Sequence, residues 1–390
     1  MHALERQPYT DALDWATRTD LVRAALRNGA AEIASWSEEE AGGGASGSQL
    51  FRIRGEARAG GALVPWRFVL KVLNHQGEGW QESSTDPRAW DYWKREWLAY
   101  QDPLLQQMRG GLRAPRCLGT GEQGEAAVWM ALEDLSELDQ RPWPESRFGI
   151  VSRHLGEFNG SFLAGPAMPS PSWLSRDWLQ GWTERAEPMI TLLPRVADHP
   201  LVSRIYPPER IETLLEVWEQ RQAWYAALNA LPQTICHQDV FPRNAFVHHA
   251  DQAGQADETI AIDWAFCGKG PVGAELAALI EGALAFFELE RDAADRVEAQ
   301  CLTSYMEGLA DAGWEGAAED VQLGYLASFV LRGPIGTVGP VLTVLMDETL
   351  HGLIEHIFGQ PMDVFVTNST ELAEFERERI TRARHLVADR

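Results

Sequence analysis

The chain has 390 residues, and 57 acidic against 34 basic residues give a formal net charge of −23. That length can bury a sizeable core in two domains or lobes, and the charge argues against nucleic acid or an anionic membrane as a general partner. Cys117, Cys236, Cys267 and Cys301 are widely spaced with no Cys-x-x-Cys pair, which argues against a disulfide-dense framework and suits a reducing compartment.

From the N-terminus, Glu5, Asp11 and Asp14 precede any apolar run, unlike a signal peptide. Asp11 to Asn28 has helical spacing with a stop at Gly29, and Ala31 to Trp36 reads as a short strand. Next comes Gly42-Gly43-Gly44-Ala45-Ser46-Gly47-Ser48. A dinucleotide fingerprint would need a helix after these glycines, whereas Gln49 to Arg54 reads as a strand. Strand, glycine loop, strand is the arrangement that covers ATP phosphates in kinases, so Gly44, Ser46 and Gly47 are candidate phosphate contacts; a flexible hairpin turn is the alternative.

Leu63 to Leu73 is a further strand carrying Lys71 among apolar neighbours, one strand after the glycine loop. Asp86 and Pro87 suit the start of a helix running to about Gln101, with Trp90, Trp93, Trp97 and Tyr100 on a core-facing side. Glu96 on that helix is the candidate partner for Lys71, against a solvated Glu beside Lys94 and Arg95. Arg113 to Leu118 and Ala126 to Leu132 complete the strands, and Met130 to Asp134, with Met130 and Glu133 as named contacts, is the expected segment for an adenine edge.

From Arg147 the pattern turns helical: Arg147 to Leu163, Pro208 to Leu228, Gly273 to Leu289 and Arg291 to Ala312. The apolar stretches of this part are interrupted by Glu275, Glu281, Arg332 and Asp347, so none is expected to span a membrane. Trp173, Trp178 and Trp182 read as core, with a sugar or cation pocket as the alternative. His351 and His356 lie five apart, which does not stack them on a helix face as a zinc pair requires.

Within this helical part lies Thr-Ile-Cys-His237-Gln238-Asp239-Val-Phe241-Pro-Arg-Asn244, followed by two short apolar runs, Ala245 to His249 and Thr259 to Ile262, separated by a polar loop. They read as a hairpin, which brings Asn244 and Asp263 side by side as oxygen ligands for a hard cation such as Mg²⁺. Asp239 could then accept the proton of a substrate hydroxyl. His-x-Asp-x-x-x-x-Asn with a following Asp is the spacing of a kinase catalytic loop and metal site, and the alternative is that His237 and Asp239 merely cap a turn.

On His237 to Asn244, Ile262-Asp263-Trp264 and the upstream glycine loop, the sequence resembles the aminoglycoside phosphotransferase and choline kinase-like family of small-molecule kinases. The resemblance implies an α+β, two-lobed protein-kinase-like fold, with an N-lobe over 1–134 and a mainly helical C-lobe over 135–390. It also implies that Asp239 is the base within a catalytic loop that includes His237, that Asn244 and Asp263 bind Mg²⁺, that Lys71 holds ATP phosphates, and that Glu96 orients Lys71. Glu275 in Gly273-Ala-Glu275-Leu-Ala stands where the family usually has Asp. Gln238, Phe241 and Trp264 depart from the protein-kinase pattern, and no Ala-Pro-Glu segment follows. The expectation is an ATP- and Mg²⁺-dependent, cytoplasmic phosphotransferase acting on a hydroxyl of a small molecule, favouring an aminoglycoside or other amino sugar. A nucleotide-binding pseudokinase scaffold or sensor is the alternative, and a protein kinase the third reading.

Overall fold

The computed structural model describes residues 13–43, 48–75, 83–138, 141–165, 168–249, 256–388 and 390. Two compact units are distinguished, one within Met1–Gln107 and Ala114–Asp139, the other within Met108–Arg113 and Gln140–Arg390. In chain order the strands are β1 (Glu32–Ile33), β2 (Ser37–Gly43), β3 (Gln49–Ala59), β4 (Ala62–Asn74), β5 (Leu112–Arg113), β6 (Cys117–Gln123), β7 (Ala127–Leu132), β8 (Gln233–Cys236), β9 (Ala245–His248), β10 (Glu258–Ala261) and β11 (Gly268–Pro271).

The first unit is an antiparallel sheet ordered β1-β3-β4-β7-β6, with β2 also paired to β3. Along β4, Trp66, Phe68, Leu70 and Val72 are buried on one face, in a cluster that includes Leu21 and Val22 of the helix Trp15–Leu26. The period of two therefore turns Lys71 to the opposite face. The Trp15–Leu26 helix is capped by the Asp14 carboxylate, which accepts the Thr17 N–H at 2.7 Å, and it ends at Arg27 in the left-handed region rather than at Gly29.

Two expectations for this unit need correction. The helix expected from Pro87 begins only at Arg95 and runs Arg95–Gln101. Upstream of it the carbonyls of Ala89 and Trp90 accept the Arg95 guanidinium at 2.5 and 2.7 Å, while Ser84 Oγ and Asp86 Oδ1 capture the amides of Asp86 and Arg88. Such side-chain bonds compete with the helical ladder. Of the four aromatics there, only Tyr100 is buried; Trp90, Trp93 and Trp97 are half-buried. The strand expected over Arg113 to Leu118 is split: β5 belongs to the second unit and pairs there in parallel with β10, whereas β6 starts at Cys117. Pro115 between them has no N–H for a ladder.

The second unit is mainly helical, with two small sheets, β5-β10-β9 and β11-β8. Its helices Glu145–Leu163 and Arg291–Asp311 meet at backbone contact: a Cβ added at Gly156 would lie 2.2 Å from the Tyr305 carbonyl oxygen, and one at Gly308 2.0 Å from that of Arg153. The helix expected over Pro208 to Leu228 is two, Pro208–Glu219 and Arg221–Ala230, because the Arg221 guanidinium takes the Trp218 carbonyl at 3.0 Å.

Contrary to the expectation that Arg332 would cut the apolar run short, helical structure continues over Ala318–Met346, which is long and apolar enough to cross a membrane by length and composition. Within the protein, 72% of its most apolar window is buried. The run consists of a helix Ala318–Val330, a π-helical turn Leu331–Ile335 containing Pro334, and a helix Val338–Met346. The last helix, Met362–Ala388, is held by Arg379, which is buried, pairs with Glu298 at 2.5 Å and Asp295 at 2.6 Å, and lies 3.4 Å from the Phe375 ring centre.

Candidate active site

A buried polar network sets the position of β8. Asn159 donates to the Ile235 carbonyl at 2.8 Å, and Thr234 Oγ donates to the Asn159 carbonyl at 2.9 Å. Tyr305 Oη donates to Asn159 Oδ1 at 2.6 Å and accepts the Gly273 N–H at 3.1 Å. Where β8 ends, the Glu275 carboxylate accepts the backbone N–H groups of His237 and Gln238. Glu275 thus anchors the start of the loop with one more methylene than the usual Asp. Burial pushes its carboxyl up to about 7 against the pull of those two amides.

Gln238 follows with φ 74, a conformation rare outside glycine and found where surrounding bonds impose it. His237 is fully buried and bonded at both ring nitrogens. The Asp239 N–H donates to Nδ1 at 3.2 Å, so Nδ1 is unprotonated, and Nε2–H donates to the Ile262 carbonyl at 2.9 Å. Burial holds the imidazole neutral, down to about 4. With Trp264 packed on the ring at 4.4 Å, His237 ties the loop to the strand end that carries Asp263.

The hairpin forms with Ala245 opposite Ala261. One step further out, the Ile262 N–H donates to the Asn244 carbonyl at 2.9 Å, which sets Asn244 beside the end of the strand just before Asp263. Asp263 has φ 64 and ψ 64, the second non-glycine left-handed residue of the loop region. The Asn244 side-chain N–H₂ donates to both the carbonyl and Oδ2 of Asp239, each at 3.0 Å. Asp239 Oδ1 accepts Arg332 Nη2 at 2.5 Å, and the side chain keeps 16% exposure, enough to reach a ligand. Burial outweighs Arg332, and the Asp263 charge adds to it, so the Asp239 carboxyl is pushed up to about 6.

Asn244 with its amide oxygen and Asp263 with its carboxylate form an all-oxygen donor pair beside a second carboxylate, which fits a hard cation that takes its other ligands from phosphate and water. Among the described residues, no group of three or more His, Cys, Asp and Glu side chains could hold a metal by itself.

In the first unit, Lys71 Nζ lies 2.6 Å from Glu96 Oε2, and both residues are buried. Met130 sits opposite Lys71 in the β4–β7 ladder with its side chain buried, and the Glu133 N–H and carboxylate bond the Arg116 carbonyl and N–H. Gly44, Ser46 and Gly47 lie outside the described residues. Sequence reasoning missed Arg332, which also donates to the Gln238 carbonyl at 2.6 Å and faces Glu281 at 3.4 Å. Its one signal is a lone cation in the most apolar stretch of the chain, beside Gly333-Pro334.

An antiparallel sheet unit with an internal Lys–Glu pair and a helical unit bearing this loop and hairpin make up a kinase-like α+β fold. Residues 39–319, well over half of the chain, match the phosphotransferase enzyme family, APH. The chain belongs to that family and is a small-molecule phosphotransferase. Three solved structures share the fold. The amicoumacin kinase hAmiN, solved with AMP-PNP, Ca²⁺ and Ami, is 13% identical with TM-score 0.51 over 86% of each chain. A choline/ethanolamine kinase family protein from Mesorhizobium loti is 14% identical with TM-score 0.50, over 95% of this chain and 98% of the other. An aminoglycoside phosphotransferase from Alicyclobacillus acidocaldarius is 13% identical with TM-score 0.51, over 90% of this chain and 93% of the other. No curated protein sequence matches the chain.

Proposed function

We propose that the protein transfers the γ-phosphoryl group of ATP, with Mg²⁺, to a hydroxyl of a small molecule, an aminoglycoside or other amino sugar being the favoured acceptor. The observation that carries this reading is the set around Asp239: a partly exposed carboxylate held at one oxygen by Arg332 and at the other by Asn244, beside Asp263. Asp239 accepts the acceptor's hydroxyl proton as its oxygen bonds to phosphorus, and the bond from phosphorus to the ADP oxygen breaks. Asn244 and Asp263 would hold Mg²⁺, which when bound neutralises phosphate charge.

Lys71, fixed by Glu96, holds phosphate oxygens; Gly44, Ser46 and Gly47 cover them; and the Met130 to Asp134 segment with Glu133 meets the adenine. His237, with both ring nitrogens engaged by backbone, positions the loop and carries no proton to or from substrate. The net charge of −23 suits a cationic acceptor. Four free thiols fit the cytoplasmic placement.

The test is ATP consumption over a panel of aminoglycosides, amino sugars, choline-like alcohols and simple sugars, for the wild type and Asp239→Asn. Some acceptor should stimulate turnover, and the substitution should lower kcat by about 10²- to 10⁴-fold while ATP still binds. Equal turnover in the variant would remove Asp239 from the chemistry, and a lack of stimulation by every aminoglycoside and amino sugar would sink that class as the acceptor.

A further inference from the structure

Arg332 stands 93 residues beyond Asp239 in sequence, yet its guanidinium reaches the loop. Its guanidinium spans two consecutive residues: Nη1 donates to the Gln238 carbonyl at 2.6 Å and Nη2 to Asp239 Oδ1 at 2.5 Å. On the other side Nε faces Glu281 Oε2 at 3.4 Å, and the guanidinium carbon lies 5.0 Å from the Trp178 ring centre. This planar fork is a geometry that lysine cannot copy. The loop's own cation is employed elsewhere, since Arg243 pairs with Glu288 at 3.0 Å and donates to the Ile357 carbonyl at 2.7 Å.

The backbone beneath Arg332 is built to hold it. Pro334 lacks an N–H, and the helix widens into a π-turn at Leu331–Ile335, where the Gly336 N–H returns to the Leu331 carbonyl at 3.0 Å. The Arg332 carbonyl accepts Trp182 Nε1 at 2.9 Å, and the Leu331 carbonyl accepts Thr183 Oγ at 3.3 Å. A Cβ added at Gly336 would lie 2.0 Å from Trp182 Nε1, and one at Gly333 2.9 Å from Glu281 Cγ. The turn is thus pinned on both sides, and its side chain is aimed at the loop.

We infer that Arg332 is the positioning residue of the phosphoryl-transfer site: from a π-turn in a distant helix it fixes the Asp239 carboxylate and the left-handed Gln238 peptide in the orientation that receives the acceptor hydroxyl. This rests on Asp239 being the base. With one oxygen held by Arg332 and the other by Asn244, the carboxylate has no free rotamer, and its remaining lone pairs have fixed directions.

The experiment uses Arg332→Met, Arg332→Lys, Asp239→Asn and the double variant Asp239→Asn/Arg332→Met, with Mg²⁺-ATP hydrolysis to water followed by single-turnover phosphate release, alongside crystal structures of the two Arg332 variants. Arg332→Met should lower the rate by about 10- to 100-fold with the KM for ATP within about twofold, as expected for a misplaced reacting group. Arg332→Lys should fall between it and the wild type, and Arg332→Met should add no further loss in the Asp239→Asn background. The Asp239 side chain should adopt another rotamer in the Arg332→Met crystal.

An unmoved Asp239 in that crystal overturns the inference whatever the rates. Additive losses in the double variant overturn it too, while leaving Asp239 as base. Failure of the base reading shows separately, as an unaltered rate in Asp239→Asn alone, and a loss in Arg332→Met beside it would mean that Arg332 acts by another route.

Discussion

Replacing Tyr305 by Phe removes a single oxygen from the interior and tests whether the network under the loop holds it in place. That hydroxyl donates to Asn159 Oδ1 and accepts the Gly273 N–H, and Asn159 and Tyr305 are fully buried. Phenylalanine fills the same space, so the loss is polar: one buried acceptor and one buried donor are left without this partner. At roughly 1–3 kcal/mol each, less the cost of burying the hydroxyl, the expected destabilisation is about 1–4 kcal/mol. Urea unfolding followed by tryptophan fluorescence measures it, on Tyr305→Phe, Asn159→Ala and the pair. The two single losses should sum to more than the double-variant loss, because they remove the same bond. Additive losses, or a change below about 0.5 kcal/mol for Tyr305→Phe, would show that the network does not act as a unit.

Two further substitutions probe the helix Met362–Ala388. Arg379→Ala strips a buried Glu298 of its closest cation and should destabilise by about 3–5 kcal/mol in thermal or chemical unfolding; a loss under about 1 kcal/mol would mean that Arg382 and Tyr325 suffice. Burial pushes the Glu376 carboxyl from 4.5 up to about 7 despite Arg210 at 2.5 Å. The folded chain then holds a proton that the unfolded chain releases near 4.5, so this group's share of stability is present at acid pH and is lost as pH rises towards 7. Glu376→Gln should remove roughly 3 kcal/mol of that decline, and an equal effect of the substitution at pH 5 and pH 8 would contradict it.

What could be read from the sequence was local. The hairpin followed from two apolar runs around a polar loop, and its geometry placed Asn244 next to the strand that leads to Asp263. Lys71 and Glu96 were legible because the lysine comes one strand after the glycine loop and the glutamate lies on the segment that follows, the order in which a kinase holds phosphate. The segment from Asp86 to Lys94 misled, since Pro87 and the aromatic spacing promise a helix while the Arg95 guanidinium takes the carbonyls upstream of it. Arg113 to Leu118 misled in the same way, read as one strand although Pro115 offers no N–H to a ladder and Arg113 pairs with β10 instead. Arg332 left almost no trace: its meaning is an ion pair across 93 residues, and no periodicity or motif encodes that.

The two-residue strand β5 changes how the protein can be taken apart. Met108–Arg113 belongs with the second unit while the chain on both sides of it belongs with the first, so the backbone crosses between them three times. A single proteolytic cut cannot release either unit whole. A fragment beginning at Gln140 lacks the parallel neighbour of β10 and exposes that edge next to the hairpin of Asn244 and Asp263. Anyone wishing to express the helical unit alone would have to splice Met108–Arg113 back onto it.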